Sequence, residues 1–475
     1  MNDYPRRKKR EAVVIRNLLI TDGGAEGKAI AKHNGMVIFI PYGAPGDSVD
    51  VEITYKKQKY SEAKIISINS PSPFREKPFC NHFGICGGCK WQHITYQQQM
   101  SIKQKHVKDH LERIAKVENP NIMPIIESHK LQFYRNKLEF TFGDRRWLSL
   151  EEVKSDTQFD QRSLGFHIPG RFDKIINVEE CFLQPAPSNA IRNAVFTFVK
   201  EENIEFFNLK DKTGFARNLI IRNNSKGEFM VIWVVSAENQ EYFDKFTKLI
   251  TTSFPQVVSV YVAINNKLND SLEGVPFLHV YGEEYLSEEM NDLHFQIAPS
   301  SFFQTNTHQA LKLYKAALDM ANPDGTELMY DLYTGTATIA SFFSKRVKKI
   351  IGIEYSESAI EDGRKNLKLN EIENVELYHG DMAKVFSFQW AKRKGFPDLI
   401  VTDPPRAGMH PSVVSTILEL KPAKIVYISC NPSTQARDIA EMTNDYDVIK
   451  VQPVDMFPQT HHVENIVLLH KKKRL

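Results

Sequence analysis

Cys430 is the residue whose surroundings point most directly to chemistry. It follows the apolar run Lys424–Ile428 and sits in a polar turn, Ser429-Cys430-Asn431-Pro432. A cysteine in an apolar strand is most often an inert core residue. A polar turn instead exposes the thiol and allows it to be activated, and a thiolate is an intrinsically strong nucleophile. Covalent chemistry also needs a proton acceptor. Glu464 heads the last apolar run, ENIVLL, with His461 and His462 close by, and a carboxylate there is a candidate general base.

A second group is built for metal. Cys80, Cys86 and Cys89 form C-x5-C-x2-C, and Cys181 stands far downstream, so the five cysteines divide into four plus one. Two ligands separated by Gly87-Gly88 suit a tight metal-binding turn. A tetrahedral sulfur set takes zinc or an iron–sulfur cluster, and the spacing does not choose between them. No run of about 18 apolar residues exists and the chain opens without a secretory leader, so a cytoplasmic protein with no membrane partner is expected. In that compartment cysteines are ligands or nucleophiles before they are disulfides.

A third group is a series of acids at strand ends. The run DLYTG (331–335) brings an acid and Gly335 to the end of an apolar stretch. Glu354 ends KKIIGIE about twenty residues on, Asp381 follows VELYHG, and Asp403 follows DLIVT. In open α/β sheets ligands bind beyond the carboxyl ends of the strands, and an acid there can accept both hydroxyls of a ribose. Ala337 stands where a last glycine is usual in such a turn.

The elements that position these residues fall into three parts, as 475 residues suggest at roughly 150 per domain. Residues 1–70 hold a basic leader, Arg6–Arg10, and five short apolar runs: Ala12–Ile15, Gly27–Ala31, Met36–Ile40, Ser48–Thr54 and Ala63–Ile68. Gly and Asn-Gly punctuation between them predicts a small β-barrel of the OB type. Residues 71–294 carry a helical period over 95–117 and then strand-like runs, which predicts a β-rich α+β domain. From 295 to 475 strand and helix patterns alternate, the pattern of a doubly wound, Rossmann-like α/β sheet. Net charge is only +3, but basic residues gather at both termini, the second group being Lys471–Arg474. That distribution suits a nucleic-acid partner, and a solvated tail equally well.

Six motifs then occur in order: SFFQTN (301–306), DLYTGTA (331–337), IGIEYS (351–356), DPPRAG (403–408), ISCNP (428–432) and HHVENIVLL (461–469). Together they resemble the RNA 5-methyluridine methyltransferase family. The resemblance implies a class I methyltransferase domain that moves a methyl group from S-adenosylmethionine to carbon 5 of uridine in RNA. It implies Cys430 as nucleophile and Glu464 as the base that resolves the adduct. It also implies Gln304, Tyr333, Glu354 and Asp403 as contacts to the methyl donor, with Asp381 a further one. Arg406 fills the place held by an aromatic residue in the Asp-Pro-Pro-aromatic tetrad of amino-group methyltransferases, which argues against that class. The cysteine spacing and leading barrel resemble the branch acting on 23S ribosomal RNA, which implies a TRAM domain, a [4Fe–4S] cluster on Cys80, Cys86, Cys89 and Cys181, and ribosomal RNA as substrate. The spacing does not resemble that of radical enzymes, and no obligate protein partner is inferred. Two competing readings remain: a transfer-RNA methyltransferase, and an RNA-binding protein whose methyltransferase domain has decayed. The joint presence of Cys430, Glu464, Asp403 and Gln304 argues against decay.

Overall fold

A computed structural model describes residues 13–473, so the leader Arg6–Arg10, Ala12 and Arg474 lie outside the described residues. The chain divides into two compact units. One holds residues up to Gly84 with Gly88–His106 and Gln459–His461; the other holds Ile85–Gly87, Val107–Pro458 and the residues from His462 on.

In the first unit β1 (Val14–Gly23), β2 (Ala29–His33), β3 (Met36–Ile40), β4 (Ser48–Lys56) and β5 (Tyr60–Ser70) close into a barrel in the order β1-β2-β3-β5-β4. Leu18, Ile20, Ala29, Ala31, Ile38, Ile40, Val49, Val51 and Ala63 fill it. Their spacing by two along each strand is the period of a sheet with one buried face. The first strand begins and ends later than the apolar runs suggest, because its inward residues are Leu18 and Ile20 and the chain turns only at Glu26 and Gly27, both left-handed. At the tip of the β4–β5 hairpin Lys56, Lys57 and Lys59 are exposed, and the Lys57 ammonium lies 5.7 and 5.5 Å from the rings of Tyr55 and Tyr60. The linker after β5 is pinned to the barrel by the buried Asp47, which accepts from Ala44 N, Ser72 N and both Nε and Nη2 of Arg75. Helix α1 (Tyr96–Arg113) is divided between the two units.

The second unit contains two seven-stranded sheets. In the first, β6 (Lys137–Gly143), β7 (Ser163–Ile168), β8 (Arg171–Asn177), β9 (Ala216–Asn223), β10 (Phe229–Val235), β11 (Val257–Ile264) and β12 (Phe277–Gly282) run in the order β12-β11-β10-β9-β6-β7-β8. All neighbours are antiparallel except β10 and β11. That parallel pair needs a crossover, which α4 (Gln240–Ser253) supplies; α2 (Leu150–Lys154) and α3 (Ser188–Glu201) precede it. A hairpin, β13 (Leu286–Met290) with β14 (Leu293–Ile297), and α5 (Thr307–Ala321) lead into the second sheet.

There β15 (Leu328–Leu332), β16 (Lys349–Glu354), β17 (Val375–His379), β18 (Leu399–Thr402), β19 (Lys424–Ser429), β20 (Tyr446–Val454) and β21 (Glu464–Lys471) run β17-β16-β15-β18-β19-β21-β20. Five strands are parallel, β21 is antiparallel to both β19 and β20, and the order reverses between β15 and β18. The helices are α6 (Thr338–Phe343), α7 (Glu357–Leu369), α8 (Met382–Val385), α9 (Phe388–Lys394), α10 (Pro411–Leu420) and α11 (Pro432–Met442). Alternate strand residues enter two cores: Met329, Ile350, Val401, Val426 and Ile466 one side, Tyr330, Ile351, Ile400, Ile425 and Val467 the other. Strands apolar on both faces are what a parallel sheet covered on both sides requires. The first of these cores also takes in Ile220, Met230 and Ile232 of the other sheet, so the central and C-terminal segments share one interior.

Candidate active site at the carboxyl edge of the second sheet

The parallel strands all point one way, so the residues that follow them collect at one edge. Asp331 closes on β15, Glu354 ends β16, Asp403 follows β18 and Cys430 follows β19. Because β21 runs the other way, its first residue, Glu464, reaches the same edge. The register pairs Ser429 with Asn465, which sets Cys430 beside Glu464 on neighbouring strands. Gln435 locks this arrangement: its Nε2 donates to the carbonyls of Tyr427 and Asn465, and Asn465 Nδ2 donates back to Gln435 Oε1 at 2.7 Å.

The turn after β15 is built for a ligand. Tyr333, Gly335 and Ala337 all have left-handed φ values. Space is open where a Gly335 side chain would begin, and its N–H donates to Glu354 Oε2 at 3.0 Å. Glu354 Oε1 accepts from Ser356 N at 2.9 Å, so each oxygen is fixed by one backbone donor and keeps lone pairs for another. The side chain of Asp331 is buried; Oδ2 accepts from the Thr334 hydroxyl at 2.5 Å, while Oδ1 has no partner. Asp381 caps α8, accepting from Ala383 N at 3.0 Å, and its second oxygen lies 3.5 Å from Lys384.

Gln304 is placed by the other sheet. Asn136 donates from Nδ2 to the Gln304 carbonyl and from its backbone N–H to the Thr305 carbonyl, both at 2.8 Å, and Arg222 donates to the Ser301 carbonyl at 2.6 Å. The same loop leaves Phe302 70% exposed, an apolar ring next to the site. Tyr314, buried on α5, meets the Gln304 side chain with its hydroxyl and lies close to Asp403, Glu464 and Asp331. Nothing in the sequence distinguishes Tyr314 from an ordinary helix core residue, since it falls in the apolar period of α5 with Ala310, Leu313 and Ala317.

The electrostatics correct one expectation. The thiol of Cys430 is half-buried, and burial pushes it up to about 11, with the nearby charges of Glu464 and Asp403 adding to the shift. In this state it is a protonated thiol, and the polar turn by itself does not activate it. Only Arg406, by charge and by a hydrogen bond, works in the opposite direction. Burial also raises the carboxyls of Glu464 and Asp403, whose mutual repulsion adds to the effect on Glu464; Arg406 again opposes. Asp331 is pushed up to about 7 by burial, against the Thr334 hydrogen bond and with help from the charge of Asp403.

Cys80, Cys86 and Cys89 are half-buried and Cys181 is buried. Cys80 N donates to Gln92 Oε1, and Cys181 exchanges two hydrogen bonds with Asn189. Among the described residues no group of three or more His, Cys, Asp or Glu that could hold a metal ion is formed. Nor is any helix among them long and apolar enough to cross a membrane.

Residues 273–472 match the family described as tRNA (Uracil-5-)-methyltransferase, and residues 9–66 match the TRAM domain. A protein of Bacteroides thetaiotaomicron described as an uncharacterized RNA methyltransferase is 51% identical over 450 residues, 94% of this chain and 99% of that one. Another of that description, from Chlorobaculum tepidum, is 36% identical over 469 residues, 96% of each chain. The crystal structure of Pyrococcus abyssi tRNA (uracil-54, C5)-methyltransferase in complex with S-adenosyl-L-homocysteine superposes with a TM-score of 0.72 at 28% identity, covering 96% of this chain and 100% of that one. Fold and edge together define an S-adenosylmethionine-dependent methyltransferase. The chain belongs to the RNA uracil-5-methyltransferase family and carries a TRAM domain in front of the catalytic one.

Proposed function

We propose that the chain methylates carbon 5 of a specific uridine in 23S ribosomal RNA through a covalent adduct on Cys430 that Glu464 resolves. The observation that carries this reading is the pairing of Ser429 with Asn465, which brings a thiol and a carboxyl together beside Asp403 at the ligand edge of the sheet. S-adenosylmethionine fits that edge: Glu354 offers lone pairs suited to a ribose, Gly335 leaves open space, and Asp331 Oδ1 is a buried acceptor with no partner. Bound there, it supplies an electrophilic methyl group. Gln304, Tyr333, Gly335, Glu354, Asp381 and Asp403 would hold it. The Cys430 thiolate would add to carbon 6 of the uracil, forming an S–C bond as the carbon 5–carbon 6 double bond opens to an enolate; carbon 5 would then take the methyl group, the donor's S–CH3 bond breaking to leave the neutral thioether S-adenosylhomocysteine. Glu464 then removes the proton left on carbon 5, and the S–C bond breaks to return the thiolate. A carboxyl raised by burial is a stronger base than a free one, which suits this proton transfer. Uracil in a stacked helix is out of reach, so the target is a looped or single-stranded uridine turned out of its stack.

RNA containing 5-fluorouridine tests the mechanism, since fluorine cannot leave as a proton and the adduct stays trapped. Cys430→Ala is expected to abolish the trapped band, and a band that survives would refute the assignment. Glu464→Gln is expected to let the adduct accumulate on ordinary RNA.

A second reading, a transfer-RNA substrate, is favoured by the likeness to the Pyrococcus abyssi tRNA enzyme. Mass mapping of 5-methyluridine in ribosomal and transfer RNA from a strain lacking the gene separates the two. We also propose a three-part organisation, 1–70, 71–294 and 295–475, and a [4Fe–4S] cluster on Cys80, Cys86, Cys89 and Cys181. The support for the cluster is the cysteine pattern of the sequence, C-x5-C-x2-C with Cys181 downstream, and its part is structural, because methyl transfer has no redox partner for it.

A further inference from the structure

Asn306 closes the SFFQTN motif and caps α5, and its buried amide makes two bonds. Oδ1 accepts from Gln309 N at 3.2 Å, which is the cap. Nδ2 donates to the Met456 carbonyl at 2.9 Å, far along the chain. A cap needs only the oxygen, which Ser, Thr or Asp also supply, so the nitrogen is the part that capping leaves unexplained. Its neighbours make bonds to the same stretch. The buried Gln309 donates from Nε2 to the Asp455 carbonyl, and the Tyr134 hydroxyl donates to the Pro458 carbonyl, both at 2.9 Å. Asp455 N in turn donates to the Ile126 carbonyl at 2.9 Å.

These bonds fall at the start of the connection between β20 and β21. Val454 ends β20 and pairs directly with Glu464, the first residue of β21, so Glu464 sits on the last rung of that ladder. Strand pairs fray at their ends. Residues 455–463 join the two strands, whereas hairpins usually turn in about two to five residues, so the connection does not by itself hold that rung closed. We infer that Asn306 is a positioning residue, its Nδ2 bond to the Met456 carbonyl holding the end of this hairpin so that Glu464 stays aimed at the proton on carbon 5 of the adduct. The inference rests on the proposed roles of Cys430 and Glu464. Gln304, two residues earlier, has its own hold through Asn136, so the methyl-donor contact does not depend on the Asn306 nitrogen.

Asn306→Ser keeps an oxygen for the cap and removes the donor to Met456, which makes it the test. The full-length protein is given S-adenosylmethionine with ribosomal and transfer RNA transcribed with uridine or with 5-fluorouridine. Trapping on fluorinated RNA reads adduct formation and methyl transfer, which need no base, and the lifetime of the adduct on ordinary RNA reads its resolution. In Asn306→Ser resolution is expected to slow about tenfold, a part of the ~10²–10⁴ that a positioned base contributes, while trapping changes by less than about twofold. Asn239→Ala is the control for a merely structural defect. It removes the cap of α4, which accepts from Tyr242 N at 3.1 Å, and should lower the melting temperature without changing the ratio of the two rates. Resolution and trapping that fall together in Asn306→Ser, or that both hold, overturn the inference. Should the Ser variant melt below the assay temperature, Asn306→Asp keeps the shape and the cap oxygen without the ionised side chain donating, and the same ratio decides. Failure of the proposed function shows elsewhere: the unaltered protein would be trapped on neither fluorinated RNA, and the base that Asn306 positions would fall with it.

Discussion

Asp331 illustrates how one residue couples the site to stability. Its carboxyl is pushed up to about 7 by burial, so between about pH 4 and 7 the folded protein holds a proton there that the unfolded chain has released. Stability from this group is therefore fully present in acid and is lost as pH rises through 7, on the order of 4 kcal/mol across the window for a shift of this size. Asp403 and Glu464 are raised too and act in the same direction. Melting temperatures of the ligand-free protein should accordingly fall from pH 5 to pH 8. Asp331→Asn, which keeps an acceptor for Thr334, should reduce that fall; a slope identical to the unaltered protein would show that Asp331 ionises normally. The thiol of Cys430 follows the same logic. Burial raises it, and the charges of Asp403, 27 residues before it, and Glu464, 34 residues after it, add to the shift.

At the scale of elements, the sheet edge depends on short connections that leave little freedom. Gly408 closes the turn after Asp403 with a φ of 79°, and a side chain there would meet Arg437 Nη2 at 2.6 Å and Asp438 Oδ2 at 2.7 Å. The turn could not sit against α11 otherwise. Gly408→Ala combines left-handed strain of about 1–2 kcal/mol with loss of the bonds that Arg437 and Asp438 make to the turn. It is expected to lower stability by about 2 kcal/mol or more, measured by urea unfolding. Ala337 accepts a similar left-handed cost, and its buried methyl lies 3.4 Å from where a Gly363 side chain would begin. The residue thus packs the turn against α7, which accounts for its departure from the usual glycine.

At the scale of the molecule, the cysteines are spread over a long stretch of chain from 80 to 181. Protein purified without oxygen should be brown and contain about four irons per chain, as expected for the proposed cluster. Cys86→Ser should bind none and should lose stability or RNA affinity while keeping affinity for S-adenosylmethionine, whose proposed contacts all lie after residue 300. Stoichiometric zinc in place of iron would refute the cluster.

Several features were legible without tertiary structure because they depend on short-range constraints. The period-two runs of the barrel, the βα alternation after 295, and acids at the ends of apolar strands are local consequences of chain geometry, and five of the proposed site residues follow from them or from motifs around them. Other features depend on residues brought together from a distance. Only the insertion of an antiparallel β21 beside β19 sets Glu464 next to Cys430, and only the shared interior of the two sheets lets Asn136 and Arg222 hold the loop of Gln304. Tyr314 was invisible because a helix records that a position is apolar or buried, and not which charges lie across from it. The thiol's ionisation is not legible for the same reason: it is set by burial and by opposing charges, and a sequence lists those groups without the distances between them.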